Sequence, residues 1–196
     1  MKNKLILAST SPYRKILLSR LGIPFVTAKP QCDEELLKSQ FQGTPQELSE
    51  FLSLEKAKSI SSEPGACVIG GDQILLFKGE ILGKPQNHEK AFEMLSQLQG
   101  HQHTLLTSMA ILPFDKPPVL VSHKTQLSMK KLTQEQIENY LKLDLPYDCA
   151  GSYKIEKHGI GLFNQIITDD FTGIEGLPLL QLSQILSNLG IEGFHS

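Results

Sequence analysis

The chain is organised around the stretch Leu5-Ile6-Leu7-Ala8-Ser9-Thr10-Ser11-Pro12-Tyr13-Arg14-Lys15. Its first four residues are apolar and predict a short strand, whereas Ser11 followed by Pro12 is typical of the cap and first position of a helix. A strand, tight turn and helix would point free backbone N–H groups, hydroxyls and the cations Arg14 and Lys15 toward one place. A phosphate site and an ordinary capped strand–helix corner both fit this stretch.

Length and composition narrow the class of protein. The 196 residues are enough for one domain with a sizeable core. Nineteen Lys and Arg against 21 Asp and Glu argue against duplex nucleic acid as a partner, but leave room for a local pocket that binds one nucleotide. No apolar run approaches the roughly 18 residues of a membrane span or resembles a signal-peptide core, so we expect no membrane partner. Cys32, Cys67 and Cys149 are far apart and odd in number, which indicates free thiols and a cytoplasmic protein.

The rest of the chain alternates between strand-like and helix-like segments, which predicts a mixed α/β fold. Helices are predicted from the capping box Thr44-Pro45-Gln46-Glu47 to about Ser61, over 87–99, from Thr133 to about Leu143, and over 179–189. Strands are predicted over 24–28, 67–77 (interrupted by Gly70-Gly71), 80–82, 103–114 and 119–129. Residues 29–43 are predicted to form a loop, and 146–176 an irregular segment.

Motifs in four parts of the chain resemble, in order and spacing, those of the Maf family of nucleoside triphosphate pyrophosphatases. They are Ser-Thr-Ser-Pro-Tyr-Arg at 9–14, Asp33-Glu34, Gly71-Asp72-Gln73 followed by Gly83-Lys84-Pro85, and Ala150-Gly151-Ser152-Tyr153 leading to Gly176-Leu177-Pro178. The resemblance covers nearly the whole chain. It implies a single domain over 1–196, with an elongated mixed sheet flanked by helices and two lobes around a central cleft, as in the Maf and ITPase type of fold. It also implies a homodimer.

The resemblance further implies the roles of several charged residues. Asp72 would accept the proton of the attacking water, and phosphates would be held by Ser9, Arg14, Lys56 and Lys84. Glu34 and Asp72 would hold a divalent cation (Mg²⁺, Mn²⁺ or Co²⁺), because Mg²⁺ typically takes one or two carboxylates plus substrate phosphates.

The residues by themselves leave other roles open for the same side chains. Asp72, beside two glycines, fits the cap of a turn, and Glu34 fits a solvated charge in a polar loop. Lys56 falls inside the apolar arc of its predicted helix, where it could extend its stem across the core edge and keep its amine in water.

Three positions bear on the base of the nucleotide. Tyr13, Gln73 and Glu156 resemble the branch of the family that acts on 7-methyl-GTP more than the branch that acts on dTTP and UTP. Guanine methylated at N7 is positively charged, so an aromatic face attracts it, and a carboxylate can accept hydrogen bonds from its N1–H and N2–H edge. The alternative is that Tyr13 packs on the first helix and Glu156 is a solvated charge.

The expected activity is hydrolysis between the α and β phosphates of a nucleoside triphosphate, preferably 7-methyl-GTP, to a nucleoside monophosphate and pyrophosphate. Two alternatives remain: a dTTP/UTP pyrophosphatase of the same family, and a non-catalytic nucleotide-binding regulator of cell division. An unrelated α/β hydrolase is disfavoured, since it would require four motifs to coincide in order. The motifs G-x-S-x-G and H-E-x-x-H and the Walker phosphate loop are also absent, which removes the commonest nucleophile, zinc and phosphate-loop templates. His101 and His103, spaced to share a strand face, fit a solvated strand end better than a metal pair.

Overall fold

The computed structural model describes residues 4–60 and 64–193. The described chain divides into two compact units. The first contains the residues up to Asp72, then Thr107–His123, and the chain from Asp170 onward; the second contains Gln73–Leu106 and Lys124–Asp169. Within the described ranges, no helix is long and apolar enough to cross a membrane.

The described residues form seven strands and seven α-helices. The strands are β1 (Lys4–Ala8), β2 (Phe25–Ala28), β3 (Ala66–Phe77), β4 (Glu80–Leu82), β5 (Gln102–Pro113), β6 (Val119–Met129) and β7 (Phe163–Ile167). The helices are α1 (Pro12–Ser19), α2 (Glu34–Gln40), α3 (Pro45–Lys58), α4 (His88–Leu98), α5 (Gln134–Asp144), α6 (Thr172–Glu175) and α7 (Leu179–Asn188). The strands lie in the order β2-β1-β3-β5-β6-β7, with β4 paired to β3. Pairing is parallel for β1 with β2 and β3 and antiparallel for β3–β4 and β6–β7, so the predicted mixed α/β sheet is confirmed.

In the first unit, the opening stretch folds as its sequence predicts. β1 contributes buried Leu5 and Leu7 to the core, and the Ser11 side chain caps α1 by accepting a hydrogen bond from the Arg14 N–H. Leu17 and Leu18 of α1 are fully buried in the same cluster, which α7 completes. The carboxyl end of β1 is thereby fixed next to the start of α1.

Helix α3 packs unusually close to β3. Its capping box is confirmed, with the Thr44 side chain accepting from Glu47 N–H and the Glu47 carboxylate accepting from Thr44 N–H. The predicted end near Ser61 lies outside the described residues; the described helix ends at Lys58. A Cβ on Gly70 would collide with the Ser53 carbonyl oxygen and come within 2.9 Å of the Ala57 nitrogen, so only glycine permits this approach. β3 itself runs without interruption through Gly70-Gly71.

The loop predicted over 29–43 is wrong in part, because its centre forms the helix α2. The Asp33 side chain caps this helix by accepting a hydrogen bond from Leu36 N–H, and two glutamates occupy the first turn, where they complement the positive end of the helix dipole. None of its residues is buried, so no apolar periodicity marks it in the sequence.

The second unit contains a β-hairpin and a buried aromatic cluster. Lys78 and Gly79, both at positive φ, turn β3 into β4 as predicted. The segment predicted to be irregular over 146–176 includes two 3-10 helices, the strand β7 and the short helix α6. The prediction of a solvated strand end is wrong for His103, which is buried against the rings of Tyr153 and Phe163.

Candidate active site

A lysine ammonium shared by two carboxylates lies at the centre of the first unit. The Nζ atom of Lys56 is 2.7 Å from Oδ1 of Asp72 and 3.0 Å from Oε2 of Glu34. Lys56 is only 6% exposed and Asp72 7%, whereas the Glu34 side chain is 43% exposed. The charges therefore form a short row, with a buried end at Asp72 and an open end at Glu34.

The local structure explains why these three side chains meet. Lys56 lies on the inward face of α3, next to Ala57, and the close approach permitted by Gly70 brings that face onto β3. Asp72 is two residues further along the same strand. Neither the solvent-facing lysine nor the turn-capping aspartate that the sequence left open is what the structure shows.

Glu34 reaches Lys56 because α2 lifts it there. Glu34 is the first residue of that helix, directly after its cap Asp33. The neighbouring Glu35 points elsewhere and pairs with Lys38 on the surface, at 2.8 Å. Glu34 is therefore a paired residue at the start of a helix rather than a charge in a loop, although its side chain remains partly exposed.

Arg14 approaches the same strand from α1. Its Nε donates a hydrogen bond of 3.1 Å to the carbonyl oxygen of Gly176, and a Cβ on Gly71 would lie 3.1 Å from that Nε. Burial lowers the pKa of the Arg14 guanidinium, while the negative charges of Asp72 and Glu34 oppose that shift. The guanidinium is treated as a cation, because arginine is not deprotonated in proteins.

Ser9 lies on the turn that leads into α1, and Tyr13 lies in the first turn of that helix. Ser9 is 7% exposed, and its hydroxyl oxygen accepts a hydrogen bond of 3.1 Å from the Ser11 N–H, which leaves the hydroxyl proton available to another acceptor. Tyr13 is partly buried. The contact of both residues with a substrate stays a prediction.

The remaining predicted site residues belong to the second unit. Gln73 follows Asp72 in β3 and is partly buried, whereas Lys84 and Glu156 are exposed. Lys84 lines a groove of about 260 Å³ between β4 and α4, together with Pro85, Lys90 and Met94 among others. The structure thus brings together Glu34, Lys56 and Asp72, with Arg14 of α1 against the same strand β3. The roles of Gln73, Lys84 and Glu156 stay predictions.

The residues present fit a divalent cation only if the substrate supplies some of its ligands. Among residues 4–60 and 64–193, no group of three or more His, Cys, Asp or Glu side chains could hold a metal ion. Asp72 and Glu34, however, share one positive partner, and a pair of carboxylates is the usual protein contribution to Mg²⁺ when phosphates and water supply the remaining ligands. The donor set suits a cation that arrives with a phosphorylated substrate rather than a closed protein cage.

Sequence analysis did not predict the roles of Gly71 and Gly176, or that of the segment that carries Gly176. Gly71 and Gly176 leave the space that the Arg14 side chain occupies. Both had been noted only as parts of family motifs. Each glycine stands next to a charged or turn-forming residue in the sequence, but no local pattern connects either one to Arg14.

The fold and the site define a mixed α/β protein that gathers two carboxylates and two cations around its third strand. Comparison with known proteins agrees: the sequence model described as Maf-like protein matches residues 4–189, and the chain belongs to the Maf family.

Among the relatives, a protein of Bdellovibrio bacteriovorus named 7-methyl-GTP pyrophosphatase is 47% identical over 97% of this chain and 99% of its own. One of the same name from Colwellia psychrerythraea is 40% identical over 96% of this chain and 94% of its own. Among solved structures, a HAM1 protein from Coxiella burnetii is 15% identical, with a TM-score of 0.44 over 96% of this chain and all of its own.

Proposed function

We propose that this protein is a nucleoside triphosphate pyrophosphatase that prefers 7-methyl-GTP. The observation that carries the proposal is the buried Lys56 ammonium held between Asp72 and Glu34, in a chain whose full-length relatives are named 7-methyl-GTP pyrophosphatase. A carboxylate on a buried strand and cations close to it are what hydrolysis of a phosphoanhydride requires. A protein that only binds nucleotides has no need of the carboxylate.

In the proposed reaction, water attacks the α-phosphorus of the triphosphate. Asp72 accepts a proton from that water as the new P–O bond forms. The bond from the α-phosphorus to the bridging oxygen breaks, and pyrophosphate leaves with the electron pair. The products are a nucleoside monophosphate and pyrophosphate.

The cations of the site oppose the charge that develops in this reaction. Arg14 uses Nε to bind the Gly176 carbonyl, and its two terminal nitrogens suit the bidentate binding of a phosphate. Lys56 already pairs with two carboxylates and can be shared with a phosphate oxygen, while Ser9 donates its hydroxyl proton. Lys84, in the second unit, is proposed to bind phosphate as well.

A divalent cation, Mg²⁺, Mn²⁺ or Co²⁺, is proposed to bind with the nucleotide. Glu34 and Asp72 would hold it, and it would neutralise phosphate charge and make the α-phosphorus more electrophilic. Glu34, the more exposed carboxylate, lies at the open end of the row of charges, where a substrate-borne cation would first meet the protein.

Base selection is proposed for Tyr13, Gln73 and Glu156. Tyr13 directly precedes Arg14 on the first turn of α1 and offers an aromatic face to a cationic base. Glu156 is exposed, so its carboxylate is available to a ligand without the loss of an internal contact. Gln73 supplies a neutral donor and acceptor.

The test is release of pyrophosphate from 7-methyl-GTP, GTP, dTTP and UTP with each of the three cations. We expect kcat/KM to be highest for 7-methyl-GTP. A value for dTTP or UTP that equals it would overturn the base assignment, and nucleotide binding without any pyrophosphate release would favour the regulator of cell division.

We also propose that the two units constitute one Maf-like domain in a cytoplasmic protein. The family model runs through both units without a break. All three cysteines are free, and burial raises the pKa of the Cys67 thiol to about 11, which keeps it protonated. A single cooperative unfolding transition, monitored by two probes, would support the single domain.

A further inference from the structure

The guanidinium of Arg14 is oriented by backbone rather than by an acidic partner. Within residues 4–60 and 64–193, its side chain has one hydrogen bond, from Nε to the Gly176 carbonyl oxygen. A Cβ on Gly71 would lie 3.1 Å from Nε, and one on Gly176 would lie 3.5 Å from Cγ and from Nε. The side chain is thus confined between two glycines. The hydrogen bond from Nε to the Gly176 carbonyl leaves the two terminal nitrogens of the guanidinium for an anion.

The position of that carbonyl depends on a buried polar network on either side of it. Asp170 is 5% exposed, and its Oδ1 accepts hydrogen bonds from the Thr172 N–H (3.0 Å) and hydroxyl (2.6 Å). Its Oδ2 accepts one from Leu180 N–H at 2.8 Å, and the Thr172 oxygen accepts another from Leu179 N–H at 2.8 Å. Asp170 therefore ties the start of α6 to the first turn of α7, with Gly176 between them.

The network also replaces the missing cap of α7. The residue before this helix is Pro178, whose side chain makes no capping hydrogen bond. Asp170 and Thr172 instead satisfy the first two N–H groups of the helix, and the carboxylate complements the positive end of its dipole. A second contact restrains the same segment, because the Thr107 hydroxyl donates to the Gly173 carbonyl at 2.8 Å.

We infer that Asp170 and Thr172 are positioning residues for Arg14. They fix the turn that carries the Gly176 carbonyl, and the carbonyl in turn holds the guanidinium with its terminal nitrogens directed to a phosphate. This inference rests on the proposed function only in assigning Arg14 to the triphosphate. Neither residue contacts the substrate.

The experiment measures binding of inorganic tripolyphosphate and kcat/KM for 7-methyl-GTP, each in Asp170→Asn, Thr172→Val and Thr172→Ser. The neighbouring Asp169 is exposed, so Asp169→Asn is the matched control. We expect Asp170→Asn and Thr172→Val to weaken tripolyphosphate binding about tenfold and to raise KM more than they lower kcat, as for a lost charge-assisted contact. Thr172→Ser, which keeps the hydroxyl, and Asp169→Asn should bind as the unaltered protein does.

The decisive comparison repeats Asp170→Asn in an Arg14→Lys background. Lysine has no Nε–H to give to Gly176, so the second substitution should then change tripolyphosphate binding less than about twofold. An effect of equal size in both backgrounds would overturn the inference.

The tripolyphosphate assay separates this inference from the proposed function, since it requires no turnover. Weaker tripolyphosphate binding by Arg14→Lys but not by Asp170→Asn would sink the inference alone. Unchanged binding by Arg14→Lys would remove Arg14 from the proposed site.

Discussion

Lys56 of the first unit and His103 of the second are buried in opposite ways. In the first unit, Lys56 is buried together with the carboxylates of Asp72 and Glu34, so its charge is compensated. In the second unit, Nε2 of His103 lies 3.0 Å from the Tyr153 hydroxyl, and its Nδ1 has no hydrogen-bond partner within the described chain. Burial lowers the pKa of His103 to about 4 and raises that of Tyr153, so both are neutral near pH 7.

This difference distinguishes the candidate active site from a buried cluster that only supports the fold. Buried charges that pair with one another can also pair with a substrate, because the ammonium and the carboxylates then only exchange one partner for another. Neutral buried rings gain nothing from a phosphate and contribute packing instead. Four substitutions test this contrast.

The largest expected effect is on turnover, from Asp72→Asn. The amide retains an oxygen for Lys56 but cannot accept a proton from water, so kcat should fall by about 10²–10⁴-fold. Glu55→Gln is the control, since Glu55 pairs with Lys58 outside the site. Pyrophosphate release at more than about a tenth of the normal rate would move the role of base to another residue, with Glu34 the next candidate.

Lys56→Met should cost the most stability. It leaves Asp72 buried without its counter-ion, and breaking a buried pair in this way costs about 3–5 kcal/mol. Lys58→Met, on the exposed side of the same helix, should cost less than about 1 kcal/mol.

Urea denaturation measures both values, and the double variant with Asp72→Asn should recover part of the loss. Equal losses for the two lysines would show that the charges of the first unit are not buried in any energetic sense.

His103 should make the second unit sensitive to acid. Its folded pKa of about 4 lies below the ordinary value of 6.5, so the unfolded state binds more protons between these pH values. Its contribution is complete above pH 6.5 and is lost as pH falls toward 4, by about 3 kcal/mol in all. His103→Leu should flatten the free energy of unfolding against pH across this window, whereas His101→Gln, at an exposed position, should not. Parallel curves for all three proteins would mean that the ring is solvated.

The smallest expected effect is on base preference, from Glu156→Ala. Loss of the Glu156 charge, which complements the positive charge that only the N7-methylated base carries, should lower kcat/KM for 7-methyl-GTP about tenfold and leave that for GTP less affected. Glu135→Ala, another exposed glutamate of the second unit, is the control. If both substrates lose equally, Glu156 does not read the methylated base.

Much of this fold follows from local signals. Ser11-Pro12, the capping boxes at Thr44 and Thr133, and the turn at Lys78-Gly79 each act within four residues, and all four are confirmed. Helix α2 was missed because it buries no side chain and so shows no apolar period. Its only signal was Asp33 followed by an acidic first turn.

The site was less accessible to sequence reasoning. The arc of α3 indicated that Lys56 faces inward, but its partner Asp72 is 16 residues away and is met only through the packing of α3 on β3. Asp170 and Thr172 were missed for a similar reason. They lie in a segment without periodicity, and their effect on Arg14 passes through a backbone carbonyl.

The absence of a side chain at Gly70 sets the distance between α3 and β3. Because α3 rests on bare backbone there, the depth of the helix and the reach of the Lys56 side chain together span the gap to Asp72. Any larger residue at position 70 would raise the helix and withdraw the ammonium, as surely as shortening the lysine would. The distance between the charges of this site therefore depends on a glycine at position 70, although that position carries no charge.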